Sequence, residues 1–379
     1  MDNLIVGLDA TRSRSGGAVS HIRGIISASD PRSFGIETVH LWAYPELLDK
    51  IPNPPWLIKH CVNATKGPLF WQLTWQFFVL PIVAKRFKIS VLFNTDAGSV
   101  CQYRPSVTLS QDMLSFEASE IKRVPLLSTA RLRLEILKCI QIHSLSNSSV
   151  ALFLTQYAKD VIGKFSVFPI YSIVPHGVDS LFSAGSSLRS PWPSEGPIRC
   201  LYVSNVSFYK HQWHVVSAIR KIRDRLGLDL RLHLVGGVTD AASKKRLLSA
   251  IRIHDPLNKF VQVREFVPNE QIATELQNAD LFVFASSCEN LPITLLEAMA
   301  SGLPIASSYR GPMPEVLGDA AAFFDPEDSD SIDLAISSIL SDAGFRESLQ
   351  RRALIRSKLF TWKFTADLTW KALVQAASV

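Results

Sequence analysis

Cysteine is sparse. The 379-residue chain has five, Cys61, Cys101, Cys139, Cys200 and Cys288, an odd count with no C-x-x-C pair. That excludes a disulfide framework and leaves reduced, mostly buried thiols, as expected of a cytosolic protein. No uninterrupted apolar run reaches the ~20 residues of a membrane span. The longest, residues 69–87, is broken by Gln72, Gln76 and Pro81, and reads as a core helix that Pro81 bends or ends. The opening "MDNLIVGLDA" has no basic region before its apolar run, so no signal peptide is expected. Basic residues never run five together, so no nucleic-acid tail is expected. A G-x-G-x-x-G fingerprint is missing, and Gly236-Gly237 at a strand end does not replace it. His211 and His214 have no third ligand nearby and read as helix residues. Asp328-Ser329-Asp330 reads as a helix N-cap cluster, so no metal and no cofactor are expected.

What is present points to anionic partners. The formal net charge is +6, which favours nucleotides, phosphates or acidic lipid surfaces. Trp71, Trp75 and Phe78 lie near helical spacing ahead of Lys85, Arg86 and Lys88. That pattern raises a peripheral contact with an acidic membrane surface, at the inner face of the membrane for a cytoplasmic chain. Arg131, Arg133 and Lys138 read as a solvated face.

Strand-like and helix-like segments alternate through both halves, which predicts an α/β protein with parallel sheets. In the first half the strands are "NLIVGLDA", "FGIETVHLWA", "ISVLFNT", "SVTLSQ", "SSVALFLT" and "YSIVPHG". Around residues 183–197 the chain turns rich in Ser, Gly and Pro and reads as a linker. The alternation then restarts with "IRCLYVSNVS" and ends on a helix in "TWKFTADLTWKALVQAA". Two doubly wound domains facing a cleft are expected, at 1–185 and 186–359, with ligands beyond the carboxyl ends of the strands.

One stretch carries the chemistry: "CENLPITLLEAMASGLPIA". Glu289 follows the strand "DLFVFASS", and Glu297 lies eight positions on, inside the next helix. Free amides at a helix N-terminus bind anions, and here Asn290, Leu291, Ile293 and Thr294 would supply them, since Pro292 has none. A carboxylate on each side could accept hydrogen bonds from sugar hydroxyls. The alternative on the same spacing is a capped surface helix with Glu297 solvated. Gly302 is placed for a left-handed C-terminal cap.

This stretch resembles the E-x7-E signature of glycosyltransferase family 4. "SRSGGA", "YSIVPHGVD", "LYVSNVSFYKHQ", "LHLVGG" and "VREFVPNEQIATELQNADLFVFASS" are similar to the family's other segments, in the family's order. The resemblance implies a GT-B fold and retaining transfer from a nucleoside-diphosphate sugar without an obligatory metal. It implies an acceptor-binding first domain, a nucleotide-sugar-binding second domain and a last helix, 360–379, that returns to the first. By that resemblance Glu289 sits by the donor sugar and Glu297 by the ribose. Lys210 meets the diphosphate and the Val267 backbone the base, while Gly16 and Gly17 let the early loop approach donor phosphates. Mannose or a similar hexose is the implied sugar, and a polysaccharide or lipid-linked glycan the implied acceptor.

Two family features depart. Ser204 and Asn205, nucleotide-binding candidates by position, stand where the family has Gly-Arg ahead of the lysine. Gln111, or Ser110 in the other alignment, stands near the place of the family's mid-domain histidine. These departures favour the rival expectation, a catalytically weak nucleotide-sugar-binding or scaffold subunit of a glycan assembly complex. The paired acids and Lys210 favour an enzyme.

Overall fold

The computed structural model describes residues 4–14, 16–183, 192, 196–265 and 267–378. They form two compact units, Met1–Gly177 with Thr361–Val379, and Val178–Phe360.

The first unit is built on seven strands: β1 Leu4–Asp9, β2 Ile36–Ala43, β3 Leu57–Cys61, β4 Val91–Asn94, β5 Ser106–Ser110, β6 Val150–Phe153 and β7 Tyr171–Ile173. Their order is β3-β2-β1-β4-β5-β6-β7, all parallel. β4 and β6 are buried along their whole length, as expected of a sheet covered on both faces. The sequence reading missed β3. "LIKHC" is only partly buried, and pairing with β2 rather than its own composition makes it an edge strand.

The stretch 69–87 is not the core helix expected. It runs as a helix Leu69–Thr74, a π turn Trp75–Val79 and a helix Leu80–Arg86. Pro81 has no N–H to close the ordinary turn, and the Leu80 amide reaches back to the Trp75 carbonyl instead. Leu80 and Ala84 enter a core cluster with Trp42, Val62, Ile89, Leu92 and Cys101. Phe70, Trp71, Phe77, Phe78 and Ile82 are exposed.

The chain's last helix, Trp362–Ala377, belongs to this first unit, as the resemblance implied. It lies along the helix Gly16–Ala28 and buries Ala366, Trp370, Leu373 and Ala376. A Cβ on Gly24 would fall 2.2 Å from the Trp362 ring, so only glycine admits this approach. His176, expected as a turn residue at a hinge, is buried with its Nδ1 3.0 Å from Nδ1 of His21, both rings against Trp362. Burial lowers the pKa of His21 to about 4 and that of His176 well below the usual histidine value.

The second unit has six parallel strands: β8 Ile198–Val203, β9 Leu230–Val235, β10 Val261–Arg264, β11 Leu281–Phe284, β12 Ile305–Ser308 and β13 Ala322–Phe324. Their order is β10-β9-β8-β11-β12-β13. Both sheets are thus doubly wound, with the order reversing beside the first strand. Such a reversal leaves a crevice at the carboxyl ends of β8 and β11.

The expected boundary at 185/186 shifts to 177/178, and 359/360 to 360/361. Phe182 is buried, and its carbonyl accepts from Ser301 Oγ at 3.3 Å, which ties this segment to the second unit. Of the expected linker, residues 184–191 and 193–195 lie outside the described residues. Among the described residues no helix is long and apolar enough to cross a membrane.

Candidate functional site

Two strand ends build the site in the second unit. After β8 the chain turns through Ser204–Tyr209 to Lys210, and after β11 it reaches Glu289. The Tyr202 phenol on β8 donates to the Lys210 carbonyl at 2.6 Å. The Ser287 amide, beyond β11, donates to the Tyr209 carbonyl at 2.9 Å. His211 Nε2 lies 2.8 Å from Ser287 Oγ. His211 is not the helix residue expected. It is the N-cap of the helix Gln212–Leu226, at φ +50° and ψ 27°, a left-handed conformation uncommon outside glycine. The two Ser287 contacts hold the lysine turn against the end of β11, and the Tyr202 contact ties it to β8.

The result brings Lys210 and Glu289 together. Lys210 Nζ donates to Glu289 Oε1, with the two side chains only 13% and 15% exposed. A charge-assisted bond in such a shielded setting is stronger than its equivalent in open water. Burial first, and then the neighbouring Glu289 carboxylate, push the Tyr202 phenol well above its ordinary pKa.

Glu297 is placed by the helix Ile293–Ala300. It is 4% exposed, which rules out the solvated alternative. Burial, and secondarily the Asp179 carboxylate, push its pKa up to about 8. No hydrogen bond from the described residues counters that rise. Burial thus favours the protonated acid over its ionised form. The helix starts on Pro292, which provides no side-chain cap. The Leu295 amide turns back to the Pro292 carbonyl at 3.1 Å. The Ile293 and Thr294 amides precede it in the first turn, where a helix has no internal acceptors. Asn290 and Leu291, buried in the turn before the helix, complete the expected group.

Ser204 and Asn205 serve the scaffold. Asn205 Oδ1 accepts from the Gly237 amide at 2.9 Å, and Ser204 Oγ donates to the Asn205 carbonyl at 3.0 Å. Gly236, at φ +145°, would carry a Cβ 2.3 Å from the Ser204 carbonyl oxygen, so the ends of β8 and β9 can close only over glycine. Val267 is half-buried between β10 and the helix Asn269–Gln277.

The remaining expected residues lie in the first unit. Gly16 and Gly17 open the Gly16–Ala28 helix, and a Cβ on Gly16 would meet nothing within 4 Å. At Gly16 the protein's own packing therefore does not demand glycine. Gln111 follows β5, where its Nε2 donates to the Thr95 carbonyl at 2.7 Å. Sequence reading missed Tyr202, Ser287 and Asp179. Serines at a strand end carry no distinctive signal, and Asp179 acts on Glu297 from more than a hundred positions away. Asp328 does cap the helix Ser329–Ser341, accepting from the Asp330 amide at 2.8 Å. Among the described residues no group of three or more His, Cys, Asp or Glu could hold a metal.

Residues 187–356 match the family model for glycosyl transferases group 1. The O-antigen chain mannosyltransferase B of Escherichia coli is 37% identical over 104 residues, 27% of this chain and 27% of that protein. The MMP alpha-(1->4)-mannosyltransferase of Mycolicibacterium hassiacum is 28% identical over 224 residues, 56% of this chain and 50% of that protein. The matches thus span half or less of these curated relatives. Sucrose-phosphate synthase from Thermosynechococcus elongatus aligns in structure with a TM-score of 0.76 at 18% identity, covering 97% of this chain and 98% of that one. The shared architecture is GT-B.

Proposed function

We propose that the chain, whose residues 187–356 match the family model for glycosyl transferases group 1, moves mannose or a similar hexose from a nucleoside-diphosphate sugar to a polysaccharide or lipid-linked glycan. The observation that carries this reading is the Lys210–Glu289 pair at the strand-order reversal, with the buried Glu297 in the helix that follows Glu289. Likeness to two mannosyltransferases supports mannose.

In this reading the donor diphosphate meets Lys210 and the first-turn amides of the Ile293–Ala300 helix. Negative charge grows on the leaving diphosphate as the sugar approaches an oxocarbenium-like state. A fixed donor aimed at such charge can be worth about 3–4 kcal/mol. Glu289 orients the sugar hydroxyls and holds Lys210 in place. Glu297 accepts from the ribose hydroxyls, which supply the donors its ionised form lacks. The Val267 backbone meets the base, and Gly16 and Gly17 leave the backbone open to a phosphate. Gln111 is the acceptor-side candidate.

Transfer retains configuration. The C1–O bond to the diphosphate breaks, the acceptor oxygen bonds C1 on the same face, and the acceptor proton passes to the leaving phosphate oxygen. No metal is assigned a step. Donor turnover by the purified chain, with and without Glu289→Ala, tests the proposal. Turnover lost in the variant supports it.

A second reading, a catalytically weak nucleotide-sugar-binding subunit, is favoured by Asn205. Its side chain is committed to Gly237 where the resemblance implies a phosphate-binding arginine. Nucleotide binding without donor turnover would select this reading.

A further inference from the structure

We infer that the segment 68–88 of the first unit docks on an anionic membrane surface and presents the carboxyl end of the first sheet to a lipid-linked acceptor. Its inner face is fastened. Gln76, buried, donates through Nε2 to Asp9 Oδ2 at 2.7 Å, at the last residue of β1. Leu80 and Ala84 fill the core beside Trp42 and Leu92. Its outer face is open. Phe70 is 69% exposed, Phe78 62% and Ile82 68%, with Trp71 and Phe77 between them. A contiguous apolar face of this kind marks an interaction site rather than ordinary surface.

Charge selects the occupant. Between Asp49 and Asp96 there is no Asp or Glu, while Lys50, Lys59, Lys66, Lys85, Arg86 and Lys88 all fall in that interval. Lys66 pairs with Glu46 and Lys59 donates to the Leu48 carbonyl, but Lys85, Arg86 and Lys88 stand exposed at the end of the aromatic face. Aromatic side chains entering the headgroup boundary beside lysine and arginine are the pattern of an interfacial helix on acidic lipid. A second copy of the chain fits less well, because a twofold contact would set this acid-free basic flank against itself.

The π turn keeps both faces in register. It points Gln76 inward to Asp9 while Phe77 and Phe78 stay outside. Docking would therefore bring the end of β1 close to the lipid surface. The acceptor half of this inference rests on the glycosyl-transfer reading, whereas the membrane half does not.

Flotation of the full chain with vesicles tests it, using phosphatidylcholine alone and phosphatidylcholine mixed with phosphatidylglycerol. The chain is expected to float with the acidic vesicles only, and to release in high salt. Phe70→Ser with Phe78→Ser should weaken binding by roughly tenfold or more, and Lys85→Glu with Arg86→Glu should abolish the acidic preference. Both pairs should keep the wild-type thermal midpoint and its rise with nucleotide. Failure of the folded wild type to float, or undiminished floating of the phenylalanine pair, overturns the inference. So does a salt-resistant dimer that the same pair disperses, since it would make a second copy the occupant. A missing nucleotide response with floating intact would strike the donor reading alone.

Discussion

Lys210 Nζ donates to Glu289 Oε1 across 79 positions of sequence, in a setting that leaves both side chains mostly shielded. The pair holds the cation at the strand-order reversal before any diphosphate arrives. In the proposed reading, an incoming phosphate shares Lys210 with a carboxylate.

That sharing gives Glu289→Ala two opposed effects. Nucleoside-diphosphate affinity should stay level or rise, because Lys210 is released to the phosphate. Donor turnover should fall by about a hundredfold or more, as when a group aimed at the reacting centre is removed. Calorimetry and a turnover assay on the same preparation check both. Equal losses in affinity and turnover would show instead that Glu289 mainly holds the turn together.

Glu297 sets a pH dependence. Its folded pKa, raised to about 8, exceeds that of the unfolded chain, so the folded state holds the extra proton between the two values. Its contribution to stability is full in acid and declines as pH rises towards 8, by at most about 1.4 kcal/mol per pH unit. Glu297→Gln, which resembles the protonated form, should raise the thermal midpoint above pH 8 and change it little near pH 5. A midpoint gain independent of pH would contradict the assignment.

Nucleotide binding should report the same proton from the other side. In the proposed reading, ribose hydroxyls donating to Glu297 favour the carboxylate, so binding should release a proton and tighten as pH rises towards 8. Titrations at pH 7 in buffers of differing ionisation enthalpy measure that release, which Glu297→Gln should remove. Identical heats in all buffers would place the ribose elsewhere.

Gly24→Ala tests the return of the last helix. The new methyl would fall 2.2 Å from the Trp362 ring, an overpacking expected to cost about 1–3 kcal/mol. The midpoint of thermal unfolding should drop by several degrees. Trp362→Ala in the same chain should recover part of the drop, which a purely helical effect of alanine would not allow.

Much of this was legible beforehand because periodicity and turn residues are local. β4, β6 and β11 are short apolar runs, and Gly302 adopts the left-handed conformation just past its helix, where it was expected. The acids and the lysine were singled out through a motif, and the fold brings Glu289 and Lys210 into contact. What stayed hidden depended on distant neighbours. β3 exists through pairing with β2, and the 69–87 stretch is exposed because only one of its faces finds the core. The bond from the Gly237 amide to Asn205 comes from another strand's turn and could not be read from the sequence.

The most direct test is calorimetric titration of the full chain with GDP, GMP, UDP and UMP, repeated on Lys210→Ala. One diphosphate should bind clearly more tightly than its monophosphate, and the variant should lose about tenfold or more of that diphosphate's affinity while keeping the monophosphate's, as removal of a charge-assisted bond worth about 1.5–3 kcal/mol requires. Unchanged diphosphate affinity in a folded Lys210→Ala chain would contradict the account.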